Sequence, residues 1–384
     1  MANDRVYYAI QQVSIGPDGS TARHVAHGVQ SIGITTTFNL EQVFELGQLA
    51  IYENVEGTPD VEVTMSKVLD GYNPLFCMAT AGNTDGPALA QRANSKCFVD
   101  LGIWDEGRES AGQASSSAGS FCSMSGLVVS SVGYNFPLDD NFTEDITLVG
   151  NYKVWGSGQA QNTISTGCGV NYHATGTSGG FAGNNDAPIG DGGVNRRENI
   201  QFATSQTNTS GADYTILPED IPGVDVSGQK GTAHVSSISI STDLSREDIF
   251  ELGSKLPYAK KVTFPVEVTC DIEVTTASGD MINALDDCTE DAACNTKTNL
   301  NERRIRIVTC EGLRIWLGQK NKLASVSYGG GDAGGGNATV TYSYSTFNDC
   351  TVMHSGDVAA QGGSSSGQTW WTNRETYVGS GVYY

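Results

Sequence analysis

The sequence predicts a mostly β protein made of two tandem β-sandwich or half-barrel units, each with a short helix and a long hairpin. Three observations predict it. First, one stretch occurs twice: VQSIGITTTFNLEQVFELG from Val29 to Gly47, and VSSISISTDLSREDIFELG from Val235 to Gly253. The spacing is 206 residues (250 − 44, for Phe44 and Phe250) and holds without a gap from Val29/Val235 to Pro59/Pro265. One residue is then dropped, and VEVT at 61–64 returns at 266–269. Chance supplies a shared tetrapeptide but rarely collinear flanks on both sides, so the pattern reads as an internal duplication. Second, the 384 residues include 47 Gly, with 38% apolar and only 17% charged, a balance that suits strands joined by many turns. Third, each copy ends in a hairpin pattern. SGLVVSSVGYNF and EDITLVGNYKVW flank residues 137–142, and KLASVSYG and NATVTYSYSTF flank the glycine tract at 329–336.

Taken in order, residues 5–16 (RVYYAIQQVSIG) form a strand that stops at Gly16-Pro-Asp-Gly19. Residues 29–37 alternate, as does the partner segment with Val235, Ile238 and Ile240 set among serines, so both are half-buried strands. A helix start is expected after each, with Asn39 in the first copy and Asp243 or Ser245 in the second as N-cap. Phe44, Leu46, Phe250 and Leu252 then pack onto the sheet, and Gly47 and Gly253 end the turn with positive φ. This is a packing-and-turn element rather than a binding site. Strands over 61–68 and 266–274 follow, then short helical or irregular crossovers at 69–96 and 278–302, with Asp280 to Leu285 the most helical piece. Further strands follow at KCFVDLGIW (96–104) and RRIRIVTCEGLRIWL (303–317) and lead into the hairpins, where Val340, Tyr342, Tyr344 and Thr346 share one face.

The chain divides into an N-terminal strand or arm (1–28), a first unit (29–155), a Gly/Asn-rich insertion or linker packed outside (156–230), a second unit (231–354) and a C-terminal tail (355–384). Within the insertion only 215–226 has the pattern of an ordered segment. The tail's Trp370, Trp371, Tyr377, Tyr383 and Tyr384 are candidates for docking on a neighbouring subunit.

The net charge of −21 argues against stable nucleic-acid binding but suits a channel that DNA crosses without sticking. No apolar run spans a membrane, and MANDRVYYAIQQ lacks the pattern of a signal peptide. The nine cysteines lack C-x-x-C spacing, so no metal site is expected. They read either as small buried hydrophobes or as disulfides formed after release, with Cys288 and Cys294 as candidates and links between subunits allowed by the odd count.

Catalytic patterns fail on inspection. Gly176-Thr-Ser-Gly-Gly180 and Gly363-Ser-Ser-Ser-Gly367 match G-x-S-x-G, but Ser178 and the serines Ser364, Ser365 and Ser366 lie in low-complexity runs without the strand and helix that such an elbow needs. His24-x-x-His27 is not repeated, since only His234 appears in the second copy, opposite Gly28. The acidic run at 283–294 lacks the order of a calcium loop, and GGGDAGGG is followed by no Gly-Lys-Ser/Thr. The expectation is a protein that is not an enzyme and carries no cofactor.

The repeated strand, Phe-Glu-Leu-Gly, VEVT and a hairpin ending YSYSTFND together resemble the major tail (tail tube) protein of tailed bacteriophages, over roughly 22–155 and 231–354. The resemblance implies a structural virion protein with a duplicated tube domain. Its chains close as trimers with pseudo-sixfold symmetry and stack into a tail tube that conducts the genome. The partners it implies are the protein itself, a tape-measure protein, baseplate and terminator proteins, and a sheath where the tail contracts. DNA passes without stable binding, and no membrane is involved. Assembly is expected in the host cytoplasm, with the product resident in the virion tail. The alternative is a baseplate hub or adhesin-like virion protein whose 156–230 insertion binds a receptor.

Overall fold

The structure, a computed structural model, describes residues 5–18, 24–81, 89–105, 119–157, 193–202, 214–282, 300–331 and 336–354. In chain order the strands are β1 (Gln11–Pro17), β2 (His24–Val25), β3 (Val29–Phe44) and β4 (Ile51–Val68), then the short helices α1 (Leu75–Ala79) and α2 (Leu89–Arg92). They continue with β5 (Cys97–Ile103), β6 (Ser120–Pro137), β7 (Thr143–Gly150), β8 (Tyr152–Ser157) and β9 (His234–Asp243). The remainder are β10 (Arg246–Ile249), β11 (Ala259–Val262), β12 (Glu267–Thr275), β13 (Arg306–Val308), β14 (Leu313–Trp316), β15 (Lys322–Gly329), β16 (Thr339–Phe347) and β17 (Thr351–His354).

The organising feature is a continuous antiparallel path, β3-β4-β7-β6-β9-β12-β16-β15. Its first four strands and its last four succeed one another in the same pattern. Irregularities recur with it. β3 carries an extra residue, Gln30, between Val29 and Ser31, and β9 carries Ser236 at the matching point. β6 carries an extra Ser130 and β15 an extra Ala324. Bulges of this kind pin register, because a slip of one residue would turn every side chain to the wrong face.

Pairing also corrects the alignment of the two VEVT segments. Thr36 lies opposite Val61, whereas Thr242 lies opposite Val268. Val61 therefore matches Val268 in the sheet, and the repeated letters at 266–269 sit two residues out of step. A two-residue offset preserves the buried face, so a period-2 pattern could not detect it.

A second layer covers one face. β6 is shared: its C-terminal half joins the long sheet, while its N-terminal half pairs with β5 and β8. Gly126, at φ +67°, stands where the strand passes between the two. β5 pairs with β1, and β1 with β2. On the other half, β13, β14 and β17 form a three-stranded sheet. Here the predicted strand 303–317 is broken into β13 and β14 by a turn with Gly312 at φ +89°. One continuous core lies between the layers, including Val63, Met65, Ile146, Leu148, Ile240, Ile272, Val340 and Tyr342.

The expected insertion is packed outside only in part: residues 193–202 are largely exposed, whereas the segment around 215–221 is drawn inward. Leu217 and Ile221 are buried in the main core. The backbone of Asn195 bonds to both Leu69 and Phe142, and Ile216 bridges Arg306. Arg303 holds Asp220 through two hydrogen bonds, at 2.9 and 2.5 Å. Residues 280–282 form no helix, and 283–285 lie outside the described residues.

Candidate functional site: an assembly surface

Alternation gives the long sheet two unlike faces. The covered face buries Val61, Val63, Met65, Ile146, Leu148, Val132, Tyr134, Phe136, Ile238, Ile240, Cys270, Ile272, Tyr342 and Tyr344. The opposite face is made of hydroxyls and acids. It carries Thr64 and Ser66 of β4, Thr147 of β7, Ser131 of β6, Ser239 and Ser241 of β9, and Ser343 and Ser345 of β16. Ser241 and Thr269 hydroxyls lie 2.7 Å apart across the strands, and Ser237 donates to Glu273 at 3.1 Å. Glu62, Asp145, Asp243, Glu267, Asp271 and Glu273 project from this face, against Lys322 at its far edge. An open depression of about 390 Å³ lies on it, with Ser31, Thr64, Ser66, Ser131, Asp145 and Ser241 in its lining.

The joint between the two halves is the β6–β9 ladder, from Ser131↔Asp243 to Pro137↔Ser237. Behind it, Val132, Tyr134 and Phe136 meet Ile238 and Ile240, all at most 3% exposed. The ladder is extended past the bulge: Leu244 N–H donates to the Ser130 carbonyl at 2.7 Å, and Arg246 Nε to that of Val129 at 2.8 Å. Burial lowers the Arg246 pKa to about 10, although the group stays charged at neutral pH. Among the described residues, the two outer strands β3 and β15 each pair on one side only. Their free edges carry unfilled backbone donors and acceptors.

The Phe-Glu-Leu-Gly segments are placed differently from expectation. No helix starts at Asn39 or Asp243. Strand β3 runs on to Phe44 and β4 begins at Ile51, so the first segment tips a long ribbon. Asn39 sits at a bulge and its Nδ2 donates across the ribbon to the Thr58 carbonyl (2.9 Å) and to Asp60 (2.8 Å). The second segment tips the shorter β10–β11 ribbon. Gly47 and Gly253 have φ of +91° and +93°. The expected packing onto the sheet is corrected: Phe44 is 61% exposed, Phe250 55%, and Leu46 and Leu252 fully exposed. The physical reason is that the ribbons outrun the sheet, leaving nothing beneath their tips. The tips lean on each other's flanks at one point: Thr58 Oγ1 donates to the Lys255 carbonyl at 2.7 Å, with Lys255 Nζ 3.8 Å from Glu56.

Trp370, Trp371, Tyr377, Tyr383, Tyr384, Cys288, Cys294, Ser178 and Ser366 lie outside the described residues. Of the described cysteines, Cys77, Cys97, Cys122, Cys270 and Cys350 are buried and Cys310 is exposed. Burial pushes the Cys122 thiol up to about 11 and those of Cys97 and Cys270 higher still. Among the described residues there is no group of three or more His, Cys, Asp or Glu placed to hold a metal ion. No helix among them is long and apolar enough to cross a membrane.

The sequence missed one buried polar centre, Glu144 of β7. Its carboxylate accepts from the Leu75 and Phe76 N–H groups (2.5 and 3.0 Å) at the start of α1, and from Tyr134 Oη at 2.9 Å. Desolvation raises its pKa, with those hydrogen bonds and Lys67 pulling the other way. The lone acid in an otherwise apolar alternation was the only available signal.

No protein-family model and no curated protein sequence matches the chain. Among solved structures, the fold is similar to a chain of the anti-feeding prophage (AFP) baseplate. The TM-score is 0.31 and the identity 10%, over 41% of this chain and 98% of that one. A chain of the AFP tube-terminating cap gives 0.30 and 13%, over 41% and 95%. A chain of the PVC sheath–tube complex, from an extracellular contractile injection system in the extended state, gives 0.29 and 12%, over 40% and 93%.

Proposed function

We propose that this chain is a structural subunit of a phage-tail-like tube, with two copies of one β unit per chain (29–155 and 231–354) and no chemistry of its own. Three chains of two units fill six positions of a ring, and rings stack head to tail into an open filament. The observation that carries this reading is the long sheet itself. It has one apolar covered face, one hydroxyl-and-acid face, and an unpaired strand at each end. A sheet edge must be covered, blunted or closed, and closure on identical neighbours removes every edge.

The dimensions support a conduit. Three sheets of eight strands at about 4.8 Å spacing give a wall about 115 Å around, or about 37 Å across before tilt widens it. Removing ~5 Å of side chain from each side leaves roughly 27 Å, room for a nucleic-acid duplex. With the apolar face covered by the second layer, the hydroxyl-and-acid face lines the bore. At physiological salt, where the Debye length is about 8 Å, such a wall repels a duplex passing close to it. Neighbours of the ring would then be tape-measure, baseplate and terminator proteins, and a sheath in a contractile tail.

Negative-stain electron microscopy of the purified chain tests the reading. Rings or hollow filaments whose class averages show threefold or pseudo-sixfold symmetry are expected. A monomer at high concentration, with no ring or filament, would overturn it.

A further inference from the structure

Resting on that reading, we infer that the junction between chains is built on the same register as the joint inside the chain, with β15 of one chain adding to β3 of the next. The matching bulges equate β15 with β6 (Ser325 with Ser131, Tyr328 with Tyr134), and the repeat equates β3 with β9 (Ile34 with Ile240). Carrying the internal pairs Gly133↔Ser241 and Tyr134↔Ile240 across sets Ser327 opposite Thr35 and Tyr328 opposite Ile34. Burial shows what is missing at the free edges. Tyr134 is 2% exposed in the joint, whereas its counterpart Tyr328 is 53% exposed on the open strand. Ile240 is buried, whereas Ile34 is only partly so. A second chain in this register would cover both.

The ribbon tips extend the match. Inside the chain, Thr58 meets Lys255. The counterparts at the repeat spacing are Phe264 and Leu49, which are 44% and 104% exposed. The polar contact within the chain thus becomes an apolar one between chains. Two exposed apolar groups that meet only on assembly are what an intermolecular contact supplies.

The test is a chain carrying both Ser327→Cys and Thr35→Cys, assembled, oxidised and run without reductant beside the parent chain. Within one chain these positions lie seven strand spacings apart, roughly 34 Å, so no internal disulfide can form. Covalent dimers and trimers, ending at three chains, are expected. The off-register pair Ser325→Cys with Ser31→Cys should give neither. Separately, Leu49→Asp or Phe264→Asp should raise the concentration needed for rings by roughly tenfold while the circular dichroism and melting of the chain stay unchanged. Rings that form without the in-register crosslink would overturn this junction and leave the tube reading standing. A ladder running past three chains would support the register and overturn the closed trimer. Neither rings nor crosslinks would sink both.

Discussion

Glu144 shows how much one side chain settles in this fold. It ties the first turn of α1 to the start of β7 and satisfies the Tyr134 hydroxyl, both side chains being buried. Glu144→Ala leaves two amides and a phenol unpaired, a loss on the order of 3 kcal/mol in urea unfolding. The pH dependence follows from the raised pKa, caused mainly by desolvation. A carboxyl whose folded pKa lies above its unfolded value stabilises the fold fully below the unfolded pKa, and that contribution is lost as pH rises through the folded one. Stability should therefore fall as pH climbs from about 4.5, and Glu144→Gln should flatten that part of the profile. The thiols make a second residue-scale prediction. With Cys77, Cys97, Cys122, Cys270 and Cys350 buried, alkylation of the native chain at neutral pH should label Cys310 among these six, and the other five only after unfolding.

At the scale of elements, β6 links the two layers by passing from one to the other at Gly126. A side chain there meets open space, so the penalty of Gly126→Ala is one of backbone conformation, about 1 kcal/mol, read as a lower urea midpoint with an unchanged slope. The strands themselves were legible. EDITLVG and ATVTYSYSTF alternate as β7 and β16 do, KCFVDLGIW forms β5, which is buried along almost its whole length, and Val340, Tyr342 and Tyr344 are buried together. The Phe-Glu-Leu-Gly segments were not. Their acids and asparagine resemble a helix start, yet the ladder from Phe38↔Pro59 to Phe44↔Ile51 supplies the backbone partners that capping would otherwise provide. Propensity at such a site is a weak prior, and pairing with a distant strand outweighs it.

For the whole molecule, the charge of the sheet's open face is the property to test. Duplex DNA should not bind the native chain at physiological salt, as filter binding would show. Replacing Glu62, Asp145, Asp271 and Glu273 with Lys should create binding whose salt slope rises by about 0.9 for each phosphate neutralised. Retention of DNA by the native assembly would contradict an acidic wall. The described ends of the 156–230 segment also acquire a role at this scale. Leu217 and Ile221 fill the core, so removing 214–232 should unfold the second half rather than trim a surface loop, seen as loss of cooperative melting.

Readable from the residues alone were the strand-rich class, the repeated stretch and the alternation that sends hydroxyls and acids to one face and apolar groups to the other. These are local or periodic properties, written residue by residue. Long-range pairing set the rest: that β6 meets β9, that Val61 answers Val268 rather than Val266, and that the ribbon tips outrun the sheet. Each depends on which distant backbone completes a hydrogen-bond ladder, and a period of two residues is silent about both partner and register.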